Sequence, residues 1–305
     1  MTSIPIVYGD DKTAREQMTS FVRRNVSYRW QGTKDDFRQL LPLSLEQSTP
    51  SYRLPGVTVV IPTNGNRVAG LQKFLEQVEK VVLLSNGTGQ LWYPQATTKR
   101  VLWEGHGKTR ARALEYIDTP YVFFSVDDAI PLPSMLVKLV KELERGQWDA
   151  LCPRQIPWPD AHPITRRRLH EWMPYRNEPY AISQCDHVGT LYRTDFLHQF
   201  PIPDVPIAED AWWSIGKHVG CHPEACILHS HRRLPLSLYK RERAIHEQLA
   251  KLGRIQGPPS SLAVLNAFIQ NAARYGLTEG ITSCAEALGQ RHGWFRYISR
   301  RQPRP

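Results

Sequence analysis

Asp127 and Asp128 stand side by side at the end of an apolar run, Tyr121-Val-Phe-Phe124. Adjacent carboxylates repel one another unless a cation, or a ligand carrying one, lies beside them. The run before them has Pro120 in front and Pro131 behind, so it is too short for a helix and is predicted to be a buried strand. Ligands of open α/β sheets bind at the carboxyl ends of strands, which makes the pair a candidate metal site. The competing reading is a helix cap before Ser134, and Pro131 and Pro133 intervene against it. A second acidic pair, Glu209-Asp210, opens the helical pattern Ala208–Gly216. A late apolar strand, from Cys226, ends in His229, His231, Arg232 and Arg233.

The elements that must position these residues alternate. Val57–Pro62 is a β-branched run, expected of a strand covered on both faces, and the pattern from Leu71 to Val78 is helical. Lys80–Gly89 reads as a second strand closing on a glycine-rich turn, and a third is expected at Arg100–Trp103. Gly105–Ile117 is a loop feeding a helix, and the Asp-Asp strand follows. Helix over Ser134–Arg145 and strands at Asp149–Arg154 and Val188–Arg193 come next. This order predicts a doubly wound, mostly parallel sheet flanked by helices, with a nucleotide at its C-terminal edge. The Pro-rich, aromatic segment Pro153–Pro179, with Arg166–Arg168, Trp158, Trp172 and Tyr175, is predicted to be a lid or acceptor wall. Helices are expected at Leu236–Leu252, Leu262–Tyr275 and Thr278–Leu288. Three segments follow: an extension packed on the core at 1–55, with a helix near Lys12–Val26; an α/β domain at 56–233; and a basic helical region at 234–305.

Composition limits the class. The 305 residues are 41% hydrophobic with nine tryptophans, enough for a sizeable core. No run approaches the roughly 20 apolar residues of a membrane span, and the N-terminus lacks a signal-peptide pattern, so a cytoplasmic location is expected. Five irregularly spaced cysteines predict reduced thiols rather than disulfides or zinc. The net charge of +10 is uneven: residues 229–305 hold 13 Lys and Arg against 4 Asp and Glu. That block predicts a polyanionic partner such as nucleic acid, an anionic membrane face or an acidic saccharide.

Four stretches in order, VTVVIPT, VVLLSNGTG, GHGKTRARALEYIDTPYVFFSVDDAIP and AEDAWWS, resemble the inverting glycosyltransferases of family 2 over roughly residues 56–233. The resemblance implies a GT-A fold and a nucleotide-diphosphate sugar as donor. It implies that Pro62 and Thr63 line the nucleotide pocket, that Asn86 and Gly87 lie near the base, and that Lys108 and Arg112 face the phosphates. Where the family has Asp-any-Asp, this chain has Val126-Asp127-Asp128. The resemblance therefore gives Asp128 the direct contact to Mn2+ or Mg2+ and Asp127 a place near the ribose or sugar. Asp210 becomes the base and Glu209 its orienting neighbour. It further implies a late metal ligand at His229, with His231 as competitor, and a diphosphate contact at Arg232.

The acceptor left open by the resemblance is a polysaccharide, a lipid-linked saccharide or, by the basic block and interleaved aromatics, a hydroxymethylated base in DNA. A nucleotidyltransferase is the alternative chemistry, although Thr63–Arg67 is short for its phosphate loop.

Overall fold

The computed structural model describes residues 53–301 apart from 65–67, 87–92, 158–164, 166–168, 171 and 230–233. The expected helix at Lys12–Val26, Trp158, Arg166–Arg168, Gly87, His231 and Arg232 lie outside the described residues.

Among the described residues, nine strands form one mixed sheet. In chain order they are β1 (Leu54–Thr63), β2 (Val78–Ser85), β3 (Thr97–Arg100), β4 (Tyr121–Ser125), β5 (Ile130–Pro131), β6 (Ala150–Ile156), β7 (Tyr180–Ala181), β8 (Gly189–Arg193) and β9 (Val219–Leu228). Their order across the sheet is β3-β2-β1-β4-β8-β6-β9-β5, and β7 adds to β9. β3, β2, β1 and β4 pair in parallel, β8 is antiparallel to both β4 and β6, and β6 is parallel to β9. Thus β1, β2, β3, β4, β6 and β9 all point one way, as the mostly parallel expectation required.

Alternation along the central strands explains why both faces are covered. Val59, Ile61, Leu83 and Phe123 enter one buried cluster, whereas Val60, Val82, Leu84 and Phe124 enter the other. Helices α1 (Leu71–Leu75) and α3 (Met135–Glu144) cover the first face through Leu71, Phe74, Leu136 and Leu139. On the second face lie α2 (His106–Ala113), α4 (Thr194–Gln199) and α5 (Glu209–Trp213), through Ala113, Leu197 and Trp213.

The elements differ from the sequence reading in several places; β9, expected from Cys226, already begins at Val219. The helical pattern from Leu71 stops at Leu75, and Val78, whose spacing fits the helix, instead starts β2. The third strand lies at Thr97–Arg100, earlier than Arg100–Trp103, because it is an edge strand with no apolar pattern to mark it. The final helix, predicted to stop at Leu288, continues to Arg301.

Helices α6 (Pro235–Lys251), α7 (Ser261–Tyr275) and α8 (Leu277–Arg301) follow the sheet. α6 and α8 approach closely at Gly289 and Gly293, where an added Cβ would meet the carbonyl oxygens of Tyr239 and Arg243 at 2.5 and 2.4 Å.

One edge of the sheet collects the chemistry. β1 ends at Thr63 opposite Ser85 of β2, and β6 ends at Ile156 opposite Leu228 of β9. β8 runs the other way and begins at Gly189 opposite Ser125, so the segment 186–188 enters at the same edge.

Candidate active site

A cavity of about 610 Å³ opens at this edge. Val126, Gln155, Asp186, His187, Glu209, Asp210 and His229 line it from the sheet side. Leu238, Arg241, Glu242, Ile245 and Leu249 of α6 also line it, as do Leu169 and Trp172. Of the described residues of the Pro-rich stretch, Thr165, Leu169 and Trp172 line the cavity.

The catalytic-pair candidates have opposite environments. Glu209 is 5% exposed at its side chain and lies 2.8 Å from Arg110, itself 4% exposed, and 3.0 Å from His187 Nδ1. Burial pushes the Glu209 carboxyl up, but the His187 hydrogen bond and the Arg110 charge outweigh it and hold it at about 2. Burial, followed by the Arg110 charge, pushes His187 below its ordinary value, so its ring is neutral at pH 7. His187 Nε2 is 2.8 Å from the Tyr192 hydroxyl. With Nδ1–H given to Glu209, that hydroxyl donates to Nε2.

Asp210 is only half-buried, and it lines the cavity. Its Oδ1 accepts the Ala211 N–H at 2.7 Å. Burial first, then the Glu209 and Asp186 charges, push this carboxyl up to about 8. One carboxylate is thus locked in its ionised form and its neighbour exchanges protons near neutral pH, which suits a general base. Beneath them the Ser214 hydroxyl donates to the Asp210 carbonyl at 2.7 Å and accepts the Cys185 N–H at 2.9 Å, fixing the turn that presents Asp210. Ala208, just before the pair, has φ of 62°, a strained left-handed conformation of the kind that gathers at functional sites.

His187, Glu209 and Asp210 could together reach one cation, their donor atoms all lying within 4.8 Å of one another. Arg110 already supplies the positive charge at Glu209, so this cluster has its counter-ion built in.

Of the two metal candidates, His229 lines the same cavity as Asp210. His229 is 6% exposed, and its Nε2 lies 3.6 Å from Asp128 Oδ1. The other ring nitrogen, Nδ1, is 3.1 Å from Gln155 Oε1. An imidazole held from behind with a carboxylate in front fits a divalent ion that accepts mixed nitrogen and oxygen ligands. Val126, at the position of the family's first acid, contributes only an apolar wall.

Two nucleotide-pocket candidates are joined directly. The Thr63 hydroxyl donates to Asp127 Oδ2 at 2.9 Å, and the Asn86 N–H donates to the Thr63 carbonyl at 3.0 Å. Pro62 precedes them in β1, opposite Leu84. Asn86 Oδ1 is buried without a partner, an acceptor suited to an N–H of a ligand.

Lys108 and Arg112 sit on another face of α2, where both bind Glu104, Lys108 at 2.7 Å. Neither lines the cavity; the residues of this helix that do are His106 and Arg110. Sequence reading missed Arg110, Asp186, His187 and Gln155. A signal for Arg110 existed: Gly107 is the tight face of α2, where an added Cβ would lie 2.1 Å from the Pro203 carbonyl oxygen, and Arg110 is one turn on.

No family model matches the chain, and no curated protein does. Solved structures do. GalNAc-T7, crystallised with UDP, GalNAc and Mn2+, superposes with a TM-score of 0.50 at 11% identity, over 79% of this chain and 56% of that one. The fold is that of the GT-A glycosyltransferases. The mannosyltransferase PcManGT of Pyrobaculum calidifontis, in complex with GDP-Man and Mn2+, gives 0.49 at 14% identity over 95% of this chain and 84% of its own. TarS of S. aureus gives 0.45 at 16% identity over 63% of this chain and 39% of its own. The chain thus spans well under two thirds of both TarS and GalNAc-T7.

Proposed function

We propose that the protein is an inverting glycosyltransferase that moves a sugar from a nucleotide-diphosphate donor to an acceptor hydroxyl. The observation that carries this reading is that one cavity is lined both by His229, whose Nε2 lies 3.6 Å from Asp128, and by a carboxylate, Asp210, raised to about 8. Asp128 and His229 would hold Mn2+ or Mg2+, the first of which is bound in GalNAc-T7 and PcManGT. When bound, the ion offsets negative charge on the departing nucleoside diphosphate. Thr63 fixes Asp127 beside the ribose or sugar, and the unpartnered Asn86 oxygen receives an N–H of the base. Asp210 takes the acceptor proton as the hydroxyl oxygen attacks the anomeric carbon. A single displacement by one base inverts that centre. Glu209 does not move the proton; it holds Arg110 and His187 in place around Asp210.

For the acceptor we retain a hydroxymethylated base in DNA. The basic surplus of residues 229–305 suits a phosphate backbone, and a 610 Å³ cavity walled by Trp172 and the apolar side chains of α6 has room for an extruded base. A polysaccharide or lipid-linked saccharide is the alternative substrate. Among the described residues no helix is long and apolar enough to cross a membrane. One assay tests the reading: nucleotide sugars are offered with Mn2+ and either hydroxymethylated duplex DNA or a saccharide. Release of nucleoside diphosphate with a product of inverted anomeric configuration is expected. Release of pyrophosphate indicates a nucleotidyltransferase, and retained configuration removes the single-base mechanism.

A further inference from the structure

A chain of three hydrogen-bonding groups in the cavity wall ends on His229. Asp186 Oδ1 accepts the Val188 N–H at 3.0 Å, and its Oδ2 accepts Gln155 Nε2 at 2.7 Å. A carboxylate can only accept, so the amide nitrogen of Gln155 must face Asp186 and its oxygen must face the other way. That oxygen is 3.1 Å from His229 Nδ1. Gln155 is 4% exposed and held on β6, parallel to β9, which leads into His229. The His229 N–H is bonded to the Ile156 carbonyl at 2.9 Å, which sets the backbone of the histidine against the same strand.

We propose that Gln155, with its amide orientation set by Asp186, is a positioning residue that fixes the tautomer of His229 for metal binding. The inference rests on the metal role given to His229 above. An oxygen at Nδ1 requires the proton there, and a neutral imidazole has only one N–H. Nε2 then offers its lone pair on the side of Asp128, 3.6 Å away. In that tautomer the ring nitrogen and the Asp128 carboxylate can both ligate one cation. Had Gln155 turned its amide over, Nδ1 would have to accept, Nε2 would carry the proton, and the nitrogen facing Asp128 could not coordinate. Asp186 blocks that alternative because it cannot donate to a flipped amide oxygen.

The test uses Mn2+ alone as probe, with free Mn2+ measured by electron paramagnetic resonance during titration of the full-length protein. Removing an outer-shell partner of a ligating histidine is expected to weaken Mn2+ binding by about 10- to 100-fold. Gln155→Met should show that loss, with Asp128→Ala as the reference for a missing ligand. Asp186→Asn should weaken binding as well, since an asparagine lets the amide turn over. If Asp186 acts through Gln155, the double variant should bind no worse than Gln155→Met. Unchanged affinity in Gln155→Met, with the wild type binding Mn2+, overturns this inference and leaves the proposed function standing. Additive losses in the double variant overturn the role given to Asp186. Absence of Mn2+ binding by the wild type removes both the inference and the metal reading beneath it. Should Gln155→Met fail to fold, by its circular dichroism, Asp186→Asn alone decides: unchanged affinity overturns the lock.

Discussion

Arg110 and Glu209, 99 residues apart in the chain, meet at 2.8 Å with both side chains almost fully buried. The pair ties α2 to α5 and places a permanent positive charge under the acidic segment. Breaking such a pair from one side leaves an uncompensated buried charge, which costs about 3–5 kcal/mol. Arg110→Met should therefore lower unfolding stability by that order, and Arg110→Met with Glu209→Leu should recover part of the loss. Denaturant unfolding of the two variants checks it.

Acid should act on the same pair. The Glu209 carboxyl is held at about 2, below its ordinary 4.5. A depressed carboxylate stabilises the fold above its unfolded value, and that contribution drains away as pH falls from about 4.5 toward 2. The wild-type denaturation midpoint should drop over this window, and the Glu209→Gln variant should lack that component.

Asp210 sets the opposite trend at higher pH. With its carboxyl near 8, the ionised base becomes available as pH rises, so kcat/KM should climb to about pH 8 and then level. Asp210→Asn should abolish the climb and reduce transfer by at least about a hundredfold. A profile flat from pH 6 to 9 in the wild type would assign the proton transfer to another group.

Gly107→Ala tests whether α2 is a rigid carrier for Arg110. Its Cβ would press on backbone, 2.1 Å from Pro203 O and 2.8 Å from Val205 O, which flexible side chains cannot relieve. Overpacking should cost at least about 1–3 kcal/mol and impair activity by shifting Arg110 from Glu209. Thermal melting and transfer rate measured on one preparation separate the two effects.

Much of the sheet could be read in advance because its central strands carry their own signal. The β-branched run of β1 and the Pro-bounded aromatic run of β4 can hardly be anything but buried strands, and their carboxyl ends carry Thr63 and Asp127. The edge strand β3 is polar and mostly exposed, so nothing in its four residues announces it. Arg110, His187 and Gln155 escaped notice for a different reason. Each matters through a partner set by strand order: Glu209 for the first two, and Asp186 and His229 for Gln155. The resemblance pointed to Lys108 and Arg112 as phosphate contacts, yet helical geometry turns them toward Glu104 and leaves the intervening Arg110 inside.

The wall that α6 contributes has a consequence for how this enzyme could change over time. Leu238, Arg241, Ile245 and Leu249 shape the cavity from a helix outside the sheet, whereas Thr63, Asn86, Asp127 and Asp128, proposed above for the nucleotide side, sit at or just beyond the ends of β1, β2 and β4. Substitution along that one helix can redraw the acceptor space while the donor end and the base stay as they are. On the function proposed above, acceptor preference is thereby a trait that can drift, or be engineered, separately from the transfer chemistry.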